Sequence, residues 1–333
     1  MVKQDVQNSG KLAGKPLGQG VQFTTITEKN AQQRIDNFLL SVCKGVPKSK
    51  IYRVIRKGDV RINKKRCKPE TKLAVGDIVR VPPMVTTNSA KGPVKVSASL
   101  SKHLDSAVLF EDERLLVINK PSGLAVHGGS GVHLGLIEAL RTRYPDHQFL
   151  ELVHRLDRDT SGAVLIAKSR SALRALHAQF RDDTVNKTYH MAVHGKWPRH
   201  LTSVDAPLRK NDLKSGERIV VVSEDGKPSR TKFRTLTRSE NFTLVEAKPI
   251  TGRTHQIRVH AAFSKHPIVG DMKYIQNLIN DMHGMQKARL MLHARAIEFD
   301  LPIKDGESKR MQIEAEYDER YCEALAAMGL AEE

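Results

Sequence analysis

From Thr86 to Ser99 the sequence reads TTNSAKGPVKVSAS, with neither the 3.6-residue period of an amphipathic helix nor the alternation of a half-buried strand. Its Ser, Thr, Gly and Pro content suits an extended connection, so the chain should fold as separate parts on either side. A length of 333 residues suffices for two or three domains. The expected organisation is a disordered leader over 1–20, a small domain over 21–84, a linker over 85–102 and a larger domain over 103–333.

Charge divides along the same boundary. Residues 1–100 carry 20 Lys and Arg against 6 Asp and Glu, whereas residues 101–333 carry 35 against 31. Arg34–Arg80 alone holds 14 basic and 4 acidic residues, yet Ile35, Phe38, Leu39 and Val42 recur within it at helical spacing. A basic block with its own apolar pattern reads as a folded surface for a polyanion; a solubilising face is the plainer alternative. No apolar run reaches the roughly 18–20 residues of a membrane span. The first residues lack the apolar core of a secretory signal. Cys43, Cys67 and Cys322 are few and scattered, which argues against a disulfide framework or a zinc ribbon. His190 and His194 fall in an alternating, strand-like run, where their spacing gives no helical pair of metal ligands. The expectation is a cytoplasmic monomer with no metal, no membrane contact and no obligate protein partner.

Helices are expected over Gln33–Cys43 and Ser49–Lys57, the second ended by Gly58, with short strands at Val60–Asn63 and in VGDIVRVPP. Beyond residue 105, AVLFEDERLLVINKP reads as two strands joined by an acidic turn. GAVLIAKS, KTYHMAVHG, RIVVV, SRTKFRTLTR, FTLVEAK and RLMLHARAIEF read as further strands, and HLGLIEALRTRY, ALRALHAQF and QIRVHAAF as helices. Strands dominate and helices interrupt them irregularly. That pattern argues against a doubly wound parallel sheet and for an α+β fold on a mixed, mostly antiparallel sheet.

The basic block RIDNFLLSVCKGVPKSKIYRVIRKGDVRINKKRCKPETKLAVGDIVRVP resembles the RNA-binding module of the αL type first seen in small-subunit ribosomal protein four. The shared features are an R-I-D helix start, a second basic helix, G-D-V-R-I-N and a closing V-G-D-I-V-R-V. Lys64 stands where many members have Gly after the Asn, so the hairpin there is expected to differ in shape. Lys50, Arg53, Arg56 and Lys57 on the second helix, with Arg61, Lys64, Lys65 and Arg66 beyond it, would form two adjoining basic surfaces able to clasp a phosphate backbone.

Residues 154–162 read HRLDRDTSG, which alone could be a polar loop where Asp157 and Asp159 balance Arg155 and Arg158. Its companions make it more. NKPSGLAVHGG (119–129) precedes it, Lys187–Thr188–Tyr189, GRTHQIRVH (252–260) and RLMLHA (289–294) follow, and this series resembles the motifs of the RluA family of pseudouridine synthases, closest to its RluC type. Ile275 after Tyr274 replaces the family's usual Gly. The resemblance implies a pseudouridine synthase fold, an isomerase without cofactor, and large-subunit ribosomal RNA, or its assembly intermediate, as partner. It implies Asp157 as the catalytic aspartate, as nucleophile or as proton acceptor. Arg258 matches the position that pairs with the aspartate, Tyr189 the tyrosine that stacks on the base, and Arg155 the residue that enters the gap left by a flipped nucleotide. Arg253 is a candidate phosphate contact, and His154 is read as structural. The alternative function is a non-catalytic RNA-binding assembly factor. A methyltransferase would need a nucleotide-type glycine loop, and HGGSGVHLG lacks its spacing.

Overall fold

The computed structural model describes residues 20–43, 45–84, 96–128, 134–147, 149–212, 218–275, 288–303 and 307–331. The expected leader, apart from Gly20, and residues 85–95 of the expected linker lie outside them. The chain divides into two compact units, 1–92 and 93–333.

In the first unit, β1 (Gln22–Thr25), α1 (Ile35–Val42), α2 (Lys48–Lys57), β2 (Arg61–Ile62), β3 (Lys65–Arg66) and β4 (Ile78–Val81) form two helices on a small antiparallel sheet ordered β1-β4-β2-β3. Ile35, Phe38 and Leu39 of α1 meet Ile51, Val54 and Ile55 of α2 in one core with Leu73, Val79 and Val81. The i, i+3, i+4 spacing puts those apolar side chains on one stripe and leaves Arg53, Arg56 and Lys57 exposed on the other. Gly58, at φ 80°, ends α2 with its N–H on the Ile55 carbonyl.

The R-I-D string has a structural cause. Arg34 donates to both carboxylate oxygens of Asp36, at 3.1 and 2.7 Å, and the Tyr52 hydroxyl donates to it from α2 at 2.8 Å. Asp36 is buried, and the hydrogen bonds from Arg34 outweigh that burial and hold its carboxyl below the usual carboxylate range. Between β2 and β3, Asn63 and Lys64 adopt φ 49° and 68°, a two-residue turn of the kind whose twist suits a hairpin. The Asn63 side chain bonds the Asp77 carboxylate and the Ile78 N–H at 2.8 and 2.9 Å, and Asp77 also accepts from the Ala74 N–H at 2.8 Å. The Asn and Asp of the two module motifs therefore staple the hairpin to the closing turn. Lys64 keeps that turn while lacking the glycine that would adopt it without strain.

The second unit contains α3 (Ala98–Ser106), β5 (Val108–Glu111), β6 (Leu115–Lys120), α4 (Leu136–Arg143), β7 (Glu151–Leu152), β8 (Ser161–Ala167), α5 (Arg170–Arg181), β9 (Asn186–His194), β10 (Ser203–Asp205), β11 (Leu208–Asp212), β12 (Arg218–Val222), β13 (Arg230–Arg238), β14 (Phe242–Pro249), α6 (Gln256–Phe263), β15 (Leu292–Pro302), β16 (Ser308–Glu314) and α7 (Glu319–Ala327). Helix α3 starts inside the segment expected as linker: Ser97 caps it, accepting from the Leu100 N–H, and Leu104 packs into the second unit. Residues 98–102 are thus part of this fold, and apolar spacing too sparse to read as a helix concealed them.

The main sheet runs β10-β13-β14-β9-β15-β8-β6-β5, with β16 on β15 and β7 on β8. Among the described strands only β8 and β15 pair in parallel, so the fold is α+β on a mostly antiparallel sheet, as expected. Strand β8 is buried along its whole length because both faces are covered. Val164 and Ile166 face a core shared with α3 and α4, whereas Leu165 faces one shared with α5. A third core joins α6 and α7 to β9, β13 and β14 around Trp197.

The parallel contact demands a glycine. Gly162 has φ 110°, and a Cβ there would lie 2.3 Å from the Ala294 carbonyl oxygen of β15. Register then aligns Gly162, Ala294 and Tyr189 across β8, β15 and β9. The HRLD segment that enters β8 is thereby brought to the tyrosine of β9.

Replacing Lys64 by Gly should stabilise the first unit by about 1 kcal/mol, because a side chain in the left-handed region costs roughly that amount. Denaturant unfolding of the full chain checks this, and a neutral or destabilising result would contradict it.

Candidate active site

Asp157 does not pair with its sequence neighbours. Its Oδ2 accepts from Arg258 Nη1 at 3.1 Å, across 101 positions of sequence. Arg158 instead pairs with Asp159 on the surface, at 2.9 Å between exposed side chains. The same guanidinium of Arg258 donates Nε and Nη2 to the two oxygens of Asp271, each at 2.7 Å. Asp271 is 1% exposed and the Arg258 side chain 11%. Burial works against the charged guanidinium, but the hydrogen bonds and charge of Asp271, then of Asp157, overcome it and raise its pKa. Arg258 also lies over the Tyr274 ring, 5.2 Å from its centre.

Helix α6 supplies this arginine from a pinned start. The Gln256 amide is fully used: its oxygen accepts from the Thr251 hydroxyl at 2.7 Å and the Arg253 N–H at 3.0 Å, and its nitrogen donates to the Arg230 carbonyl and Thr231 hydroxyl, both at 3.0 Å. His260 bonds Thr231 and the Ala206 carbonyl, at 2.9 and 3.1 Å. Gln256 and His260 thus bind the inner side of α6 to β13, and the face carrying His255 and Arg258, three residues apart, is turned to Asp157. His255 Nε2 lies 3.6 Å from Asp157 Oδ2. Burial lowers the His255 pKa, and the Asp157 charge pulls the other way.

The HRLD loop is held from below by the NKPSG segment. Lys120 is fully buried and donates its ammonium to the carbonyls of Pro121, Leu124 and Arg158 at 2.8, 2.8 and 2.9 Å. Burial pulls its pKa down to about 7, while the charges of Asp159 and Asp157 oppose that pull. The Ser122 hydroxyl donates to the Asp159 carbonyl at 2.7 Å and the Gly123 N–H to the Arg158 carbonyl at 3.0 Å. At the other end of the loop, His154 Nε2 accepts the Leu165 N–H at 3.1 Å and its ring stacks on Phe180. Burial pushes His154 down to about 3, so it is a neutral, structural imidazole. Ser161 accepts from Arg289 and bonds His293 Nδ1, each at 2.8 Å, fixing the first residue of β8.

Asp157 and Tyr189 line one pocket of about 260 Å³, with Leu156, Pro249, Ile257 and Leu292 as apolar walls and Arg155, Arg253 and Lys187 among its polar ones. Arg155 and Asp157 also border a second groove of about 800 Å³, lined as well by His127, Asp159, Met272 and Arg289. Burial, and then the Asp157 charge, push the Tyr189 phenol upward, so the ring stays neutral. Among the described residues no group of His, Cys, Asp and Glu has the arrangement of a metal site.

The profile of RNA pseudouridylate synthases matches residues 114–263, and that of the S4 domain matches residues 33–79. The ribosomal large subunit pseudouridine synthase C of Pasteurella multocida is 54% identical over 315 residues, covering 94% of this chain and 96% of its own. Its counterpart in Escherichia coli K12 is 51% identical over 304 residues, covering 90% and 94%. This chain belongs to the RNA pseudouridylate synthase family. The solved structure of human RNA pseudouridylate synthase domain containing 4 agrees in fold, with a TM-score of 0.54 and 26% identity over 69% of this chain and 96% of that one. As a pseudouridine synthase the chain is an isomerase, preceded by an S4-type RNA-binding domain.

Within this synthase fold the residues expected from the sequence fall into two groups. Asp157, Arg155, Tyr189, Arg258 and Arg253 line the same pocket, though Arg253 is exposed and donates to the Pro228 carbonyl at 3.1 Å. In the S4 domain, Arg53, Arg56, Lys57, Arg61, Lys64, Lys65 and Arg66 are exposed and Lys50 is half-buried. Arg66 donates to the Lys57 carbonyl at 3.1 Å and Arg61 to the Gly58 carbonyl at 3.2 Å, so the basic hairpin lies directly against the end of α2. Asp271, Lys120 and His255 escaped the sequence reading. Asp271 follows Gly270 with no periodic pattern around it, and a buried lysine looks in sequence like any exposed one. His255 sat within the GRTHQIR string, where only the arginines drew notice. Ile275 is buried and its N–H bonds the Asp271 carbonyl at 3.0 Å, so the chain turns here without glycine.

Changing Lys120 to Met would take their lysine donor from the Pro121 and Leu124 carbonyls, while the Arg158 carbonyl keeps the Gly123 N–H. We expect a loss of about 2 kcal/mol or more in the unfolding free energy of the full chain, at roughly 1–3 kcal/mol per unsatisfied group. A loss below about 1 kcal/mol would show that the carbonyls find other donors.

Proposed function

We propose that this pseudouridine synthase isomerises specific uridines of large-subunit ribosomal RNA, free or within an assembly intermediate, with Asp157 as its catalytic residue and the target nucleotide flipped into the Asp157–Tyr189 pocket. The observation that carries the reading is the Asp157–Arg258 ion pair on the wall of a partly apolar pocket. Arg258 gives the carboxylate a charged hydrogen-bond donor inside that pocket. The substrate class is supported by the curated relatives, whose names specify the ribosomal large subunit.

The reaction breaks the bond from uracil nitrogen 1 to the ribose anomeric carbon, turns the base, and rejoins it through carbon 5. No group leaves and nothing is oxidised, so side chains suffice. Asp157 acts either by attack on the anomeric carbon or by taking a proton from the sugar and assisting its return. Its Oδ1 accepts no hydrogen bond from the described residues, which leaves one oxygen for the substrate. The Tyr189 ring offers the freed uracil a flat face that does not fix its rotation, worth roughly 1–3 kcal/mol in stacking. Arg155 is exposed on the loop and borders both grooves, where its guanidinium can fill the gap left by the flipped nucleotide. Arg253 contacts a phosphate near the pocket mouth, and the basic faces of α2 and the β2–β3 hairpin bind the RNA backbone.

Asp157→Asn should abolish tritium release from RNA carrying carbon-5-labelled uridine while leaving RNA affinity within about threefold, since a neutral amide keeps the shape but not the charge. Residual turnover near the parental rate removes Asp157 from the reaction. Neutralising Lys64, Lys65 and Arg66 together should weaken RNA binding and flatten the fall of log K with log salt by roughly 0.7–0.9 for each phosphate no longer neutralised. An unchanged slope would assign RNA binding to another surface.

A further inference from the structure

Asp157 has a second neighbour, His255, which is itself bound by Tyr274. The Tyr274 hydroxyl oxygen accepts the Val220 N–H of β12 at 3.1 Å. The same hydroxyl bonds His255 Nδ1 at 2.6 Å, and with its oxygen already accepting from Val220 it can donate its hydrogen there. A neutral imidazole that accepts at Nδ1 carries its hydrogen on Nε2. That Nε2 is the nitrogen 3.6 Å from Asp157 Oδ2, the oxygen already bound by Arg258. His255 itself is held at φ 53° as the residue that opens α6, with its side chain 16% exposed and edge-on to the Tyr274 ring.

We propose that His255 is a positioning residue for the reaction: with substrate bound it donates Nε2–H to Asp157 Oδ2, and Tyr274 selects the tautomer that makes this possible. The inference rests on the reading of Asp157 as the catalytic residue. A gap of 3.6 Å is longer than a hydrogen bond, and catalytic contacts of this kind shorten when substrate fills the site. With Arg258 alone, one N–H holds the carboxylate and it can turn about that bond. A second donor on the same oxygen fixes the plane of the carboxylate and directs Oδ1 to the ribose. His255 is no general base in this arrangement, because its one unprotonated nitrogen is occupied by Tyr274. Burial keeps the imidazole neutral near pH 7 against the pull of Asp157, consistent with a single ring hydrogen. The charged groups that face the ring are Asp157 on the loop, Arg258 on α6, and Asp271 and Lys273 on the segment that also carries Tyr274.

The test uses the full chain and the tritium-release assay, with kcat and KM measured separately. His255→Ala should lower kcat by about 10- to 100-fold, the worth of one hydrogen bond to a charged group, with KM within about twofold. His255→Gln places an amide donor near the Nε2 position and should restore most of the lost kcat. Tyr274→Phe releases the tautomer, so kcat should fall at alkaline pH and recover toward the parent as the pH drops and both ring nitrogens become protonated. Parental kcat in His255→Ala overturns the inference. So does a His255→Gln variant as impaired as the Ala variant, or a Tyr274→Phe deficit that ignores pH, since either assigns the pair to packing. Thermal melting of each variant separates loss of fold from loss of rate. Asp157→Asn in the same assay keeps the two claims apart: an inactive Asp157→Asn beside a fully active His255→Ala defeats this inference alone, whereas an active Asp157→Asn defeats the reading beneath it.

Discussion

Arg258 is anchored before it reaches Asp157. Its fork closes on the buried carboxylate of Asp271 through two hydrogen bonds of 2.7 Å, and Nη1 is left to meet Asp157 at 3.1 Å. A buried cation is costly unless it is paired, and Asp271 meets that need without consuming the group that faces the pocket. A lysine could not do both, because it has no planar fork with which to hold one carboxylate bidentately while addressing another. The second unit brings two carboxylates, Asp157 and Asp271, to the one guanidinium of Arg258.

That meeting has backbone supports as well as apolar packing behind it. Lys120 gathers three carbonyls under the HRLD loop, Gln256 spends its whole amide on the approach to α6, and Gly162 lets β8 and β15 touch. Gly162 and Gln256 sit in the strings that carry Asp157 and Arg258, and Lys120 in the NKPSG string beneath the loop. The same strings therefore contain both pocket-facing and supporting groups, and residue type alone does not separate them: His154 and His255 belong to similar polar loops, yet the half-buried His154 accepts a backbone N–H while His255 faces the carboxylate.

The S4 domain follows the same division of labour. Asp36, Asn63 and Asp77 are occupied within the fold, binding Arg34, Tyr52 and the closing turn, so its polar motif residues explain the shape of the domain. The exposed lysines and arginines of α2 and the hairpin are what remain for a polyanion. Arg66 and Arg61 cap the end of α2 and so join the two basic surfaces into one.

Local pattern alone was enough for much of this. QIRVHAAF is helical over the expected span, the apolar run GAVLIA forms β8, and the alternation of KTYHMAVH forms β9, because period and burial are set by neighbouring side chains. The start of α3 was missed where that pattern was weak, and β16 and α7 gave too little of it to be named. Pairing is another matter. The sequence puts Asp157 two positions from Arg155 and one from Arg158, and it was the resemblance of whole motifs, not that local order, that implied Arg258 as its partner. The tertiary structure brings the pair to 3.1 Å, through the parallel seam of β8 with β15 and the buried hold of Asp271. An ion pair between residues a hundred positions apart depends on where the whole sheet places its strands, and no short stretch of sequence contains that information.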